Sequence, residues 1–236
     1  NCNLPDNCKI EVDYGTFYND LVEFSRRAKN SHGVFWAYAQ TMEYLAGHSY
    51  CPAALEAYLR LEIFSALAFG AQGIVYWTYL QRENSESEVF LSALIDRHGN
   101  KTPGWYFAQR VNAEVKKYSD VFVNSQLITH WHVGVDYSRT QIFPVSRFVQ
   151  VSVPEGAEGC LVSLMKNGEH NYIIIVSHDV VNYQTVTMTF ATDVSVKFLT
   201  PTKSGGNGDY GFSNPLVPVT RELIPGGYII IEYKIK

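Results

Sequence analysis

Two short apolar segments joined by one helical segment constrain the fold of this chain more than any other feature. The segments are VFWAYAQT at Val34–Thr41 and GIVYWTY at Gly73–Tyr79. Between them, apolar residues recur at every fourth position, which predicts one face of a helix: Leu55, Leu59, Ile63 and Leu67. Pro52 is expected to open this helix and Gly70 to end it. A strand, a helix and a strand with such short connections are typical of parallel βα units.

Further amphipathic helices are predicted on both sides of this unit. Apolar residues at three-to-four spacing predict one helix over Thr16–Lys29 and a longer one over Pro103–Val123. A loop is expected after the first strand, containing Gly47, His48 and Tyr50. We therefore assign residues 1–126 to a mixed helix and strand domain.

Beyond Gln126 the chain is predicted to contain only strands. Short β-branched segments are separated by turn residues, and Thr185–Thr189 alternates between polar and apolar side chains. This pattern predicts six to eight antiparallel strands in a β-sandwich over residues 127–236, with Ser204–Gly211 as a hairpin tip or surface loop. The predicted fold class is thus α/β followed by all-β.

Charge and cysteine usage exclude several classes of function. The net charge is −4 without a basic block, which argues against a nucleic-acid partner, and no apolar segment is long enough to span a membrane. Cys2 and Cys8 are compatible with either a disulfide or free thiols, whereas Cys51 and Cys160 are expected to be packed thiols. The cysteine spacing matches no zinc motif, and no cofactor or metal is predicted.

Two histidines of a predicted strand are candidate metal ligands. His130 and His132 share one face of the strand because strand side chains alternate. Without a third ligand nearby, an interface or surface role is favoured over a metal site.

Part of the chain resembles a known enzyme family. The resemblance rests on ALAFGAQGIVYWTY and on LIDRHGNKTPGWYFAQRVNAEVKKY, which follow one another as at the end of a clan-A-type glycoside hydrolase barrel. It is similar to beta-galactosidase-like glycosidases of the Bacteroides type and covers residues 11–125. The resemblance implies the last strand–helix units of a (β/α)8 barrel, closed by a small β-sandwich. It also implies an N-terminal portion of the same protein that carries the earlier strands.

The resemblance also implies where catalytic carboxylates belong. The nucleophile is expected at the end of the seventh barrel strand, which corresponds to Val34–Thr41, yet that strand contains no carboxylate and ends near Gln40. Glu43 lies three residues further and is either the catalytic carboxylate or a solvated loop residue. Asp13 matches the end of the sixth strand, or is a charge favouring a helix start. The catalytic acid is expected outside this chain.

Aromatic and amide side chains at the same strand ends are suited to sugar binding. By alternation, Trp36, Tyr38 and Gln40 share one face of the first strand, and Trp77 and Tyr79 share one face of the second. Aromatic rings stack on sugars, and His48 is a further substrate contact. The alternative is that the two tryptophans fill the interior of a barrel, which is packed solid.

These observations predict a glycoside hydrolase, or its C-terminal portion, that acts on a poly- or oligosaccharide and is secreted or periplasmic, including an outer-surface location. Two alternatives remain open. One is a non-catalytic carbohydrate-binding protein on a degenerate barrel, because the first strand ends without a carboxylate. The other is a structural or assembly protein, in which the β-sandwich is an accessory packing domain.

Overall fold

The computed structural model describes residues 9–10, 14–46, 49–52, 55–135, 146–200 and 212–236. Helices and short sheets make up the first half of the chain. In order they are β1 (Lys9–Ile10), α1 (Tyr14–Ser31), β2 (Trp36–Gln40), β3 (Glu43–Ala46), β4 (Ser49–Cys51), α2 (Glu56–Ala68), β5 (Gly73–Trp77), β6 (Glu88–Ser92), α3 (Pro103–Lys117) and α4 (Ser119–Phe122).

Strands β2 and β5 form the predicted parallel pair. Trp36 lies opposite Gly73, and Gln40 lies opposite Trp77. Helix α2 connects the two strands, so the βα unit expected from the sequence is confirmed. Within the described residues this sheet has two strands, so the molecule is a mixed helix and sheet structure that does not show a complete (β/α)8 barrel.

The segment between β2 and α2 differs from its prediction. Where a loop was expected, β3 and β4 form an antiparallel pair within a sheet ordered β1-β4-β3-β6. Gly47 and His48 lie outside the described residues. The pairing of β3 with β6 joins residues more than forty positions apart, such as Ala46 and Glu88, and no local pattern signals such a contact.

Two predicted helix boundaries are wrong. Helix α2 begins at Glu56 rather than at Pro52, because Leu55 has extended backbone angles (φ −83°, ψ 158°) that place it before the helix. The helix predicted over Pro103–Val123 is interrupted at Tyr118, which separates α3 from α4.

Helix α2 is buried nearly all round, not along one stripe as the fourfold spacing predicted. Leu59, Leu61 and Phe64 are fully buried although they point in different directions, whereas Leu55 is exposed. A helix that is apolar on all sides must be covered on all sides. Here β2 packs against one side of α2, and β9 and β10 pack against another.

The second half consists of antiparallel strands, as predicted. The described residues contain eight of them: β7 (Gln126–Val133), β8 (Val149–Ser152), β9 (Cys160–Asn167), β10 (His170–Ser177), β11 (Gln184–Phe190), β12 (Val194–Phe198), β13 (Val219–Leu223) and β14 (Tyr228–Ile235).

These strands form a sandwich-like pair of sheets. A five-stranded sheet (β12-β14-β10-β9-β7) and a three-stranded sheet (β13-β11-β8) enclose one apolar core, to which Ile173, Met188 and Leu223 contribute. A second core joins this half to the first, since Leu161 and Ile174 of the five-stranded sheet pack with Phe64 of α2. The division at residue 126 stays a prediction, and Ser204–Gly211 lies outside the described residues.

Candidate functional site

The C-terminal ends of β2 and β5 are tied together and form one rim. The backbone N–H groups of Thr41 and Met42 both donate to the carbonyl oxygen of Trp77, at 2.8 and 3.1 Å. The hydroxyl of Thr41 donates to the carbonyl oxygen of Thr78 at 2.9 Å. The residues at this rim therefore belong to backbone segments that are hydrogen-bonded to each other, which fixes the positions of their side chains.

One face of the parallel pair exposes aromatic side chains. Trp36 is 65 % exposed and Tyr38 63 %, while the alternate residues Ala37 and Ala39 are buried. The predicted alternation along β2 is thus observed. On β5, Trp77 is 44 % exposed and its ring meets that of Tyr38 edge-on, with centroids 5.9 Å apart.

A glycine on the neighbouring strand makes room for the Trp36 ring. A Cβ atom added at Gly73 would lie 2.6 Å from Cδ2 of Trp36, closer than two carbon atoms approach. In the described residues Trp36 and Trp77 are both exposed on this sheet face. The choice between sugar binding and filling a barrel interior stays a prediction.

Tyr79 extends the aromatic surface beyond the end of β5. It is 58 % exposed, and its ring meets Trp105 of α3 edge-on at 5.8 Å. The ammonium group of Lys101 lies 4.7 Å from the centre of the Trp105 ring. Tyr79 is therefore a supported but accessible aromatic side chain.

Glu43 is the carboxylate nearest in sequence to the end of β2, and it is held in place. It is the first residue of β3, where a loop was expected, and it is half-buried. The phenol of Tyr50 on β4 donates a hydrogen bond of 2.5 Å to Oε1 of Glu43. This hydrogen bond fixes the orientation of the carboxyl group.

Gln40 links the strand end to Glu43. Its side-chain Nε2 donates to the carbonyl oxygen of Met42 at 2.6 Å. Met42 is buried and immediately precedes Glu43. The Nε2 group of Gln40 is thereby engaged with the backbone. A ligand at the rim would meet the part of the Gln40 side chain that remains exposed.

Sequence reasoning missed a second carboxyl group at the same strand end. Oε2 of Glu62 on α2 accepts a hydrogen bond of 2.8 Å from the backbone N–H of Gln40. Burial raises the pKa of Glu62 to about 7. The available signal was a single acidic residue in the otherwise apolar stretch from Leu61 to Gly70.

The thiol of Cys51 lies beside this carboxyl group. Burial, and next the nearby charge of Glu62, raise the pKa of Cys51 to about 11, and the Gln40 side chain is hydrogen-bonded to it. Cys51 and Cys160 are both free thiols. Cys51 is therefore a protonated, packed group at neutral pH rather than a nucleophile.

The remaining candidates lie elsewhere. Asp13 and His48 are outside the described residues, as are Cys2 and Cys8. His130 and His132 lie at the junction of β7 with the helices, where their rings contact Phe69 and Tyr18 respectively. In the described ranges, no three side chains of His, Cys, Asp or Glu are grouped so as to hold a metal ion.

Comparison with known proteins bears on the same part of the chain. Residues 5–118 match the glycoside hydrolase family model Glyco_hydro_42, described as beta-galactosidase. The match includes the parallel pair, the rim and α3, and it supports a glycoside hydrolase-like domain in this half. The match ends before the antiparallel sheets of the second half of the chain, which begin with β7. No curated protein matches the chain.

Proposed function

We propose that this chain forms part of the sugar site of a glycoside hydrolase that acts on a poly- or oligosaccharide. The observation that carries the proposal is that Glu43, held by Tyr50, follows the C-terminal end of one of two parallel strands whose common face exposes aromatic rings. Active sites of parallel βα barrels are built at this end of the strands. The family-model match over residues 5–118 supports the same reaction class.

The aromatic residues are assigned to sugar binding. Trp36, Tyr38 and Trp77 present ring faces and edges on one side of the sheet, and Tyr79 continues that surface past the rim. The apolar faces of sugar rings stack on such side chains, while Gln40 offers hydrogen bonds to hydroxyl groups. Exposed rings that are already fixed by their neighbours bind with little loss of conformational entropy.

Glu43 is assigned the role of catalytic carboxylate. Its hydrogen bond from Tyr50 keeps it oriented, as a nucleophile or general base requires. Hydrolysis also needs a carboxyl group that protonates the leaving oxygen. We place that acid in a part of the protein other than the strands described here, since Glu62 is engaged behind the rim with the backbone of Gln40.

The test is hydrolysis of a panel of aryl glycosides by the natural full-length protein and its Glu43→Gln variant. Removing a catalytic carboxylate should lower kcat by about 100- to 10,000-fold. Glu86→Gln changes an exposed glutamate outside the rim and should leave kcat unchanged. Turnover by Glu43→Gln at the wild-type rate on every substrate would refute the assignment.

A non-catalytic carbohydrate-binding function is the second candidate, because β2 ends in Gln40 rather than in a carboxylate. In that case the full-length protein binds oligosaccharides on a glycan array without cleaving aryl glycosides. Trp77→Ala and Tyr79→Ala should then each abolish binding, since both remove exposed stacking surface. Turnover that depends on Glu43 rules this candidate out.

We further propose that the protein is secreted or periplasmic, the location expected of the Bacteroides-type glycosidases that the sequence resembles. Cell fractionation tests this. None of the helices in the described residues is both long and apolar enough to cross a membrane.

A further inference from the structure

The last residue of β2 is held from both edges of the strand, and among the described residues only one of these edges is paired with another strand. Thr41 and Met42 donate towards β5, to the carbonyl oxygen of Trp77. The N–H of Gln40 donates instead to Oε2 of Glu62 at 2.8 Å. A side-chain carboxyl group on α2 thus serves Gln40 where a neighbouring strand would otherwise supply a carbonyl.

The contacts of Gln40 connect Glu62 with Glu43, the candidate catalytic carboxylate. Its backbone meets Glu62, and its side chain donates to the carbonyl oxygen of Met42, the residue before Glu43. The Gln40 side chain is also hydrogen-bonded to Cys51, which follows the phenol donor Tyr50 in the chain. A displacement of Gln40 would therefore reach both the backbone and the hydrogen-bond donor of Glu43.

The surroundings of Glu62 make the protonation state of its carboxyl group sensitive to pH near neutrality. Glu62 itself is partly buried, and the helix residues on either side of it, Leu61 and Ile63, are fully buried. The titratable groups that face it are Cys51 on β4 and, beyond that thiol, Glu43 on β3. Burial without a cationic partner favours the protonated form, which is why the pKa of Glu62 rises to about 7.

We propose that Glu62 is a positioning residue of the site: its carboxyl group fixes Gln40 and, through Met42, sets the place of Glu43. The sugar-cleaving part of this inference rests on the proposed function, whereas the hold on Gln40 does not. An ionised carboxylate accepts a stronger hydrogen bond than a neutral one. Glu62 therefore couples the order of the rim to protonation near neutral pH.

The backbone amide of Gln40 is a direct reporter of this contact. In an amide NMR titration of the whole chain from pH 5 to 9, we expect the Gln40 resonance to shift with one midpoint near 7, as Glu62 ionises. The shift should be absent in Glu62→Gln, which keeps the acceptor and removes the charge. Glu23→Gln, an exposed helical glutamate, should titrate as the wild type does. A flat wild-type resonance, or one that still titrates in Glu62→Gln, overturns the proposal.

Sugar affinity and hydrolysis give the second measurement. Glu62→Leu removes the acceptor and should weaken oligosaccharide binding and kcat by roughly tenfold or more, because small misplacements of reacting groups are costly. Glu62→Gln should restore most of both, and it serves also if the leucine variant does not fold. Equal loss in the two variants contradicts a positioning role. If the wild type neither binds nor cleaves sugars, the proposed function fails, while the Gln40 titration still decides the role of Glu62.

Discussion

Trp36 is exposed on the sheet face because the residue opposite it has no side chain. Gly73 pairs with Trp36 across the parallel strands, and the indole ring lies where a Cβ of that residue would be. Gly73 therefore has a structural role besides ending the connection from α2. It determines whether an aromatic ring can lie flat across both strands.

Gly73→Ala tests this arrangement. The added methyl group would meet the Trp36 ring at 2.6 Å, so the ring must move or the strands must separate. We expect a loss of about 1–3 kcal/mol in the free energy of unfolding, a changed tryptophan fluorescence spectrum and weaker sugar binding.

The matched control is Gly104→Ala in α3. There the nearest atom to an added Cβ is 3.4 Å away, and alanine is favoured over glycine in a helix by about 0.5–1 kcal/mol. This variant should be as stable as the wild type or more so. An unchanged spectrum and stability in Gly73→Ala would show that Trp36 is not held against this strand.

At the scale of elements, α2 joins the two halves of the molecule. Phe64 stacks on Tyr228 of β14 with ring centroids 3.5 Å apart, and it also meets Phe122 of α4. On the same helix the buried guanidinium of Arg60 pairs with Glu114 of α3 at 2.9 Å. The helix that carries Glu62 is thus fixed against α3, α4 and the five-stranded sheet, which makes its hold on β2 rigid.

Phe64→Ala should cost about 3–5 kcal/mol in the free energy of unfolding, because it empties a fully buried position between the two halves. Denaturant unfolding followed by circular dichroism measures this loss. Tyr106→Ala, an exposed aromatic residue of α3, should cost less than about 1 kcal/mol. Similar losses in both variants would mean that the Phe64 contact contributes little.

At the scale of the whole molecule, histidines lie where the helices meet the antiparallel sheets. His178 donates from Nδ1 to the carbonyl oxygen of Glu158 at 3.2 Å, and the Nε2 of the neutral ring accepts from Nδ1 of His132 at 3.1 Å. The ring of Tyr18 on α1 packs edge-on against His132 at 4.6 Å. This chain of hydrogen bonds requires an uncharged His178. Burial lowers the pKa of His178 to about 4 and that of His132 to about 2.

The sign of the pH effect follows from these values. Unfolded histidines bind protons from about pH 6.5, above the pKa values in the folded state, so the unfolded state binds more protons between pH 6.5 and 4. The free energy of unfolding should therefore fall as the pH falls through this window, by at most about 1.4 kcal/mol per pH unit for each histidine. Glu62, whose pKa is raised, acts in the opposite direction.

The variant His178→Gln separates the contribution of His178 to the pH dependence from that of Glu62. It should flatten the dependence of unfolding on pH between 6.5 and 4, because one proton-binding group is removed from the junction. His98→Gln, at an exposed turn, should leave the slope as in the wild type. Identical slopes in all three proteins would contradict the role of His178.

Much of the architecture was predictable because its signals are local. The apolar strands on both sides of α2 indicated a parallel pair, and the alternation along β2 placed Trp36 and Tyr38 on one face. The antiparallel strands after Gln126 were equally clear. Boundaries were less accurate: Pro52 does not open α2, since the helix starts only after the extended residue Leu55.

The sequence by itself determined the order of strands and helices and the residues that share a strand face, because these depend on neighbours a few positions apart. Only the tertiary structure decided which distant groups meet. Glu43 gains its donor from Tyr50 through the β3–β4 pairing, and Gln40 meets Glu62 of α2. His132 of β7 meets His178, which directly follows β10. Such contacts arise when whole elements pack, since burial brings together polar groups that must then find partners in each other.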